Sequence, residues 1–118
     1  TLVRSRGSNT AIRILGKYSV VHLVWERSFT EGFQHALDVF GEMNAKLLIA
    51  DPNTGEIKAI VRIGLFSFVF KLEMRTSEGV TIVKVKVANL LGIDLGLSRL
   101  SATAFEEKWQ QLIPSVKE

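Results

Sequence analysis

Between Ile57 and Ala88 the chain alternates apolar and polar residues across three consecutive segments. In the first, Ile57, Ala59, Val61 and Ile63 share one side against Lys58, Ile60 and Arg62. In the second, Phe66, Phe68, Phe70, Leu72 and Met74 stand against Ser67, Val69, Lys71, Glu73 and Arg75. In the third, Val83, Val85 and Val87 oppose Ile82, Lys84 and Lys86. A period of two belongs to a β-strand, whose successive side chains point to opposite faces of a sheet. Gly64 separates the first two segments and Ser77-Glu78-Gly79 the last two, so the three read as an antiparallel meander with one dry face and one wet face. Lys46–Ala50, mostly apolar, adds a strand ahead of them. It is joined through Asp51-Pro52-Asn53-Thr54-Gly55, where proline presets φ and glycine permits a positive one.

A dry sheet face needs a cover, and two amphipathic segments provide it. Ser28 and Glu31 have the S-x-x-E spacing of a capping box. Phe29, Phe33, Ala36, Leu37, Phe40 and Met43 then recur every three or four residues, the stripe of a helix lying on a sheet. Gly41 is read as its stop. The second helix carries Ala102, Phe105, Trp109, Leu112 and Ile113 on one side and is ended by Pro114. Upstream, Tyr18–Arg27 reads as a strand with Val21, Leu23 and Trp25 on one face and Tyr18, Val20, His22 and Val24 on the other, covered on both sides. Ala11–Leu15 reads as a short strand, and residues 1–10 as a flexible arm. The order of elements predicts an α+β two-layer sandwich, an antiparallel β-meander with an N-terminal-half helix and a C-terminal helix packed on one face.

The 118 residues, 47% hydrophobic and 23% charged, suit a single globular domain over 1–118 with a core of its own. No stretch of about 18 residues is free of charge, which argues against a transmembrane helix. The absence of cysteine excludes disulfides, thiolate metal sites and cysteine nucleophiles. Thr1 stands where a methionine would begin a complete chain, so the native N-terminus is expected upstream. The compartment, cytoplasmic or cell-envelope associated, stays open.

Few residues carry the look of chemistry. Gly92-Ile93-Asp94-Leu95-Gly96-Leu97-Ser98-Arg99 sits between a strand and a helix, where backbone N–H groups cradle phosphates. It lacks the Gly-Lys-Ser/Thr ending of a P-loop and the three spaced glycines of a dinucleotide site. Asp94 alone does not make a calcium loop. The segment reads as a glycine-enabled turn, with Ser98 or Ser101 capping the helix. His22 and His35, the only histidines, have no His-x-x-x-His or acid-paired arrangement around them. His22 reads as a core or cover residue and His35 as an exposed helix residue. Asp38 and Glu42 share a helix face as ordinary solvated surface.

Two larger constellations remain. Lys58, Arg62, Lys71, Arg75, Lys84 and Lys86 point the same way if the meander is right, diluted by Glu56 and Glu73. Such a face can dock an acidic partner or a membrane surface. RNA-binding sheets keep aromatic rings beside their basic groups; here Phe66, Phe68 and Phe70 fall on the core side, which argues against nucleic acid. The second constellation is a volume: Trp25, Phe33, Phe66, Phe68, Phe105 and Trp109 all aim at the layer between helices and sheet, where a curved sheet can leave an apolar ligand pocket beside the C-terminal helix.

Asp51, Gly55, Ile57 and Ala59, then Phe66 and Phe68, then Gly92, Asp94, Leu95 and Gly96 resemble a bacterial family of α+β domains of unknown function. Its motifs are a "D-x-x-x-G-x-I-x-A" turn and strand, an F-x-F strand and a "G-x-S-D-L-G-x-N-x-x-R" turn before the last helix. The resemblance spans about Trp25 to Trp109. Ile93 stands where that family prefers serine, Ser98 where it prefers asparagine, and an aspartate expected after the aromatic strand is absent. The resemblance implies a bacterial domain, envelope-associated or cytoplasmic, and carries over no catalytic residues.

The functional expectation is a non-catalytic binding or interaction domain without a cofactor or metal, whose partner is a protein, a membrane surface or a small apolar ligand. An enzyme using His22 or Asp94 is the competing reading, and a weak nucleic-acid binder the third.

Overall fold

The computed structural model describes residues 11–15, 18–90 and 97–113. Its elements run β1 (Ala11–Leu15), β2 (Tyr18–Trp25), α1 (Phe29–Glu42), β3 (Lys46–Asp51), β4 (Glu56–Ile63), β5 (Phe66–Ser77), β6 (Val80–Asn89) and α2 (Leu97–Gln111). The strands form one antiparallel sheet in the order β1-β2-β6-β5-β4-β3. Each sequential strand pairs with its neighbour except where α1 intervenes, so β2 rejoins the sheet beside β6 and the meander closes back on the start of the chain. Both helices cover one face: α2 packs over β6, β2 and β1, and α1 over β5 and against α2. This is the α+β two-layer sandwich that the alternation and the two helical stripes predict.

The capping box forms as its residues require. Ser28 Oγ accepts from the Glu31 N–H at 3.1 Å, and Glu31 Oε1 accepts from the Ser28 N–H at 3.4 Å. The helix does not stop at Gly41. It runs through Glu42, and Asn44 takes the left-handed φ of 57°, a conformation that asparagine tolerates better than most residues. At the other end, α1 comes so close to the sheet that a Cβ on Gly32 would lie 2.8 Å from Met74 Cε and Trp25 Cδ1. Glycine is what lets the helix settle there.

The core lies between the layers. Val83, Val85 and Val87 from β6 and Phe70 and Leu72 from β5 are completely buried. Phe40, Phe70 and Phe105 form a closed triangle with ring centroids 5.1–5.8 Å apart, a separation at which aromatic pairs attract beyond their burial. The layer of helices is narrower than the sheet. At the far edge β3 is exposed along nearly its whole length.

Candidate functional site

Of the six residues that the sequence aims at an interlayer pocket, Trp25, Phe33, Phe68, Phe105 and Trp109 are buried and Phe66 is half-buried. Four of the rings, those of Trp25, Phe33, Phe105 and Trp109, lie against other rings. Trp109 meets Phe105 at 6.0 Å and stands edge-on to Trp25 at 5.5 Å, while Phe33 stacks on Phe29 at 6.2 Å.

His35 belongs to this cluster and not to the solvated surface expected of it. It is only 6% exposed, stacked on Trp25 at 4.8 Å and edge-on to Trp109 at 4.4 Å. Its Nε2–H donates to the Trp109 carbonyl at 2.9 Å, which fixes the neutral tautomer. Burial pushes its pKa below the ordinary 6.5, against the upward pull of the Trp109 hydrogen bond and of Asp38; Arg27 adds to the lowering. The reason is tertiary: α1 packs against α2 as well as on the sheet, so a second strip of its surface is enclosed. Nearby, the buried hydroxyls of Ser19 and Ser98 share a 2.9 Å hydrogen bond, tying the start of α2 to β2. Ser98 thus faces the sheet and Ser101 is buried one turn further into the helix, away from its N-cap. The preceding turn, residues 91–96 with Asp94, lies outside the described residues.

The opposite face of the sheet collects the charged residues, and strand register sorts them into rows. Lys58 stands directly across from Lys71, and Lys71 across from Lys86, three lysines on three neighbouring strands about 4.8 Å apart. The adjacent row reads Glu56, Glu73, Lys84 and His22. The next holds Arg75, Ile82 and Val24, and on the other side lie the half-buried Ile60, Val69 and Ala88. Five of the six predicted basic residues therefore gather on one half of this face. Arg62 does not: it lies four residues from Lys58, about 13 Å along β4, and its Nε–H donates to the Gly64 carbonyl at 3.4 Å.

Formal charge is spread unevenly over the strands of this face. On β5, Lys71 lies 3.7 Å from Glu73, both about half exposed, and on β4 Glu56 precedes Lys58 by two residues. On β6 the same two rows carry Lys84 and Lys86. Positive charge is thus concentrated over β6. Lys71, Glu73, Lys84 and Lys86 line a notch of ≈ 60 Å³, room for a single carboxylate-sized group. Beside it a depression of ≈ 530 Å³ is lined by His22, Thr54, Glu56, Arg75, Ile82 and Lys84, among others. The β3–β4 turn makes one wall. The Gly55 carbonyl accepts from the Met74 N–H at 2.8 Å, and Gly55 takes a φ of +77° where a Cβ would run into the Met74 carbonyl. Alternation alone shows that these side chains share a face. It does not show that His22, Thr54 and Ile82 meet at one depression, which needs the register of β2 on β6 and the curl of the turn.

Among the described residues no group of three or more histidine, aspartate or glutamate side chains is placed to hold a metal ion, and no helix is long and apolar enough to cross a membrane. No protein-family model matches the chain, and no curated protein does. Among solved structures the chain is similar to the crystal structure of CalU16 from Micromonospora echinospora, with a TM-score of 0.43 and 11% identity over 91% of this chain and 88% of that chain.

Proposed function

We propose that this chain is a non-catalytic interaction domain that binds an acidic segment of a protein partner on the outer face of its sheet. The observation that carries this reading is the notch lined by Lys71, Lys84 and Lys86 together with Glu73, three cations to one carboxylate. Like charges directly opposite one another on neighbouring strands disfavour the sheet, and a bound carboxylate relieves that cost. The pattern favours a protein over a lipid surface. A bilayer presents uniform negative charge, which Glu56 and Glu73 would repel, whereas a partner with its own alternating charges can match both rows. Aromatic rings suited to base stacking are turned inward, so nucleic acid fits this face poorly.

The test is titration of the protein with a glutamate-rich peptide and, separately, with anionic vesicles. The peptide should bind with an affinity that falls steeply as salt rises, and Lys84→Glu/Lys86→Glu should reduce it at least tenfold while leaving the far-UV circular dichroism unchanged. Binding indifferent to salt and to the double substitution would remove this face as the docking site. Vesicle binding stronger than peptide binding would replace the protein partner with a membrane.

A further inference from the structure

The outer edge of β3 belongs to neither the core nor the charged face. β3 is the last strand of the sheet, so one side of its backbone has no neighbouring strand among the described residues. Leu47, Leu48 and Ile49 are 46%, 47% and 40% exposed. Three large apolar residues in a row on an open edge form a surface that sheets ordinarily blunt or cover.

The register of β3 shows what fits there. Lys46 pairs with Ile60 and Leu47 with Ala59, but Ile49 pairs with Lys58, so Leu48 is an extra residue in a bulge. Beyond it, Ala50 pairs with Ile57 and Asp51 with Glu56. Lys46, Ile49 and Asp51 therefore project on the outer face, while Leu47 and Ala50 project on the helix side. This five-step pattern is complementary to itself when reversed. In an antiparallel pair of two β3 strands around a two-fold axis, each side chain must face one that projects on the same side. Centring the axis on Ile49 satisfies this at every step. Ile49 faces Ile49 of the second copy, Ala50 faces the Leu47–Leu48 bulge, and Asp51 faces Lys46, so that an opposite-charge pair closes each end. Pro52 follows Asp51 and has no N–H to continue the ladder.

We infer that β3 is a self-association edge, through which two copies of this chain join their sheets into one across a two-fold axis at Ile49. The interface is isologous and supplies what each edge lacks among the described residues: backbone hydrogen-bond partners, cover for three apolar side chains, and a counter-charge for both Lys46 and Asp51. It also aligns the outer faces. Ile49 lies in the same row as Lys58, Lys71 and Lys86, so the lysine rows of the two copies become one row through the axis. The association itself requires no acidic ligand and stands or falls separately from the proposed binding.

Two measurements on the intact chain test it. The chain has no cysteine, so Ile49→Cys introduces a single thiol that meets its own copy at the axis. Under mild oxidation it should form a covalent dimer at least ten times faster than Leu65→Cys, whose site is 88% exposed. In sedimentation equilibrium the unmodified chain should show a dimer at high concentration that Lys46→Glu, which faces Asp51 with a like charge, shifts toward monomer at least tenfold. Adding Asp51→Asn removes that repulsion and keeps the side-chain oxygen that accepts from the Asn53 N–H, and should recover the dimer in part. Equal cross-linking rates at the two cysteines, or a monomer at every concentration, would overturn the inference. So would a dimer insensitive to Lys46→Glu.

Discussion

β6 carries the two faces of this molecule on one strand. Val83, Val85 and Val87 are completely buried against the helices, while Ile82, Lys84 and Lys86, one residue out of step, stand on the outer face. On the inner side the sequence satisfies one requirement, removal of apolar surface from water, and side chains of several shapes meet it together. On the outer side the same register places lysine opposite lysine and glutamate opposite glutamate, an arrangement that stability alone does not select. The inner face holds the fold. The outer face carries the charge rows on which the proposed binding rests.

The contrast is sharpest where the largest ring sits. Trp109 is completely buried and joins Trp25, His35 and Phe105. Trp109→Ala should cost about 3–5 kcal/mol, through lost transfer energy and the cavity left behind, as read by urea denaturation. The indole N–H is buried with no hydrogen-bond acceptor among the described residues. Trp109→Phe discards that unsatisfied donor along with part of the ring, so its cost should be less than half that of the alanine variant. Equal costs would mean that the ring is held by its N–H and not by packing.

A smaller effect comes from His35. Its pKa is lowered on folding, so below the ordinary value of 6.5 the unfolded chain binds the proton more readily than the folded one. Stability is therefore fully present above about pH 6.5 and is lost as pH falls toward the lower folded value, with a slope for this one group of at most about 1.4 kcal/mol per pH unit. His35→Phe should flatten that part of the profile, whatever it does to stability at neutral pH. A slope unchanged by the substitution would place the pH dependence elsewhere.

Much of this was legible in the sequence, and the limits are physical. The capping box was readable because Ser28 and Glu31 are three residues apart and act locally. The meander faces were readable because alternation fixes which side chains share a side. The end of α1 was not: Gly41 carried the expected signal, yet the chain found its left-handed residue at Asn44. The burial of His35 is not legible in the sequence, because enclosure by α2 comes from an element more than fifty residues away, which no periodicity in α1 records. The exposure of Leu47, Leu48 and Ile49 was equally hidden, since an apolar strand at the edge of a sheet reads like one at its centre. Which lysine faces which is a matter of register, set by the two-residue turns at Gly64-Leu65 and Glu78-Gly79.

The smallest expected stability change tests the central claim most directly. Lys71 stands between Lys58 and Lys86, so Lys71→Glu replaces two like-charge neighbours with two opposite ones, at the loss of an exposed ion pair with Glu73 that contributes little. Urea denaturation of wild type and Lys71→Glu, each with and without a saturating glutamate-rich peptide, reads both faces at once. Without peptide the variant should be as stable as wild type within about 0.5 kcal/mol, or more stable. With peptide only the wild-type midpoint should rise, by the linkage that any ligand of the native state imposes. A loss of more than about 1 kcal/mol without peptide, or equal midpoint shifts with it, would mean that the lysine row serves the fold and not a partner.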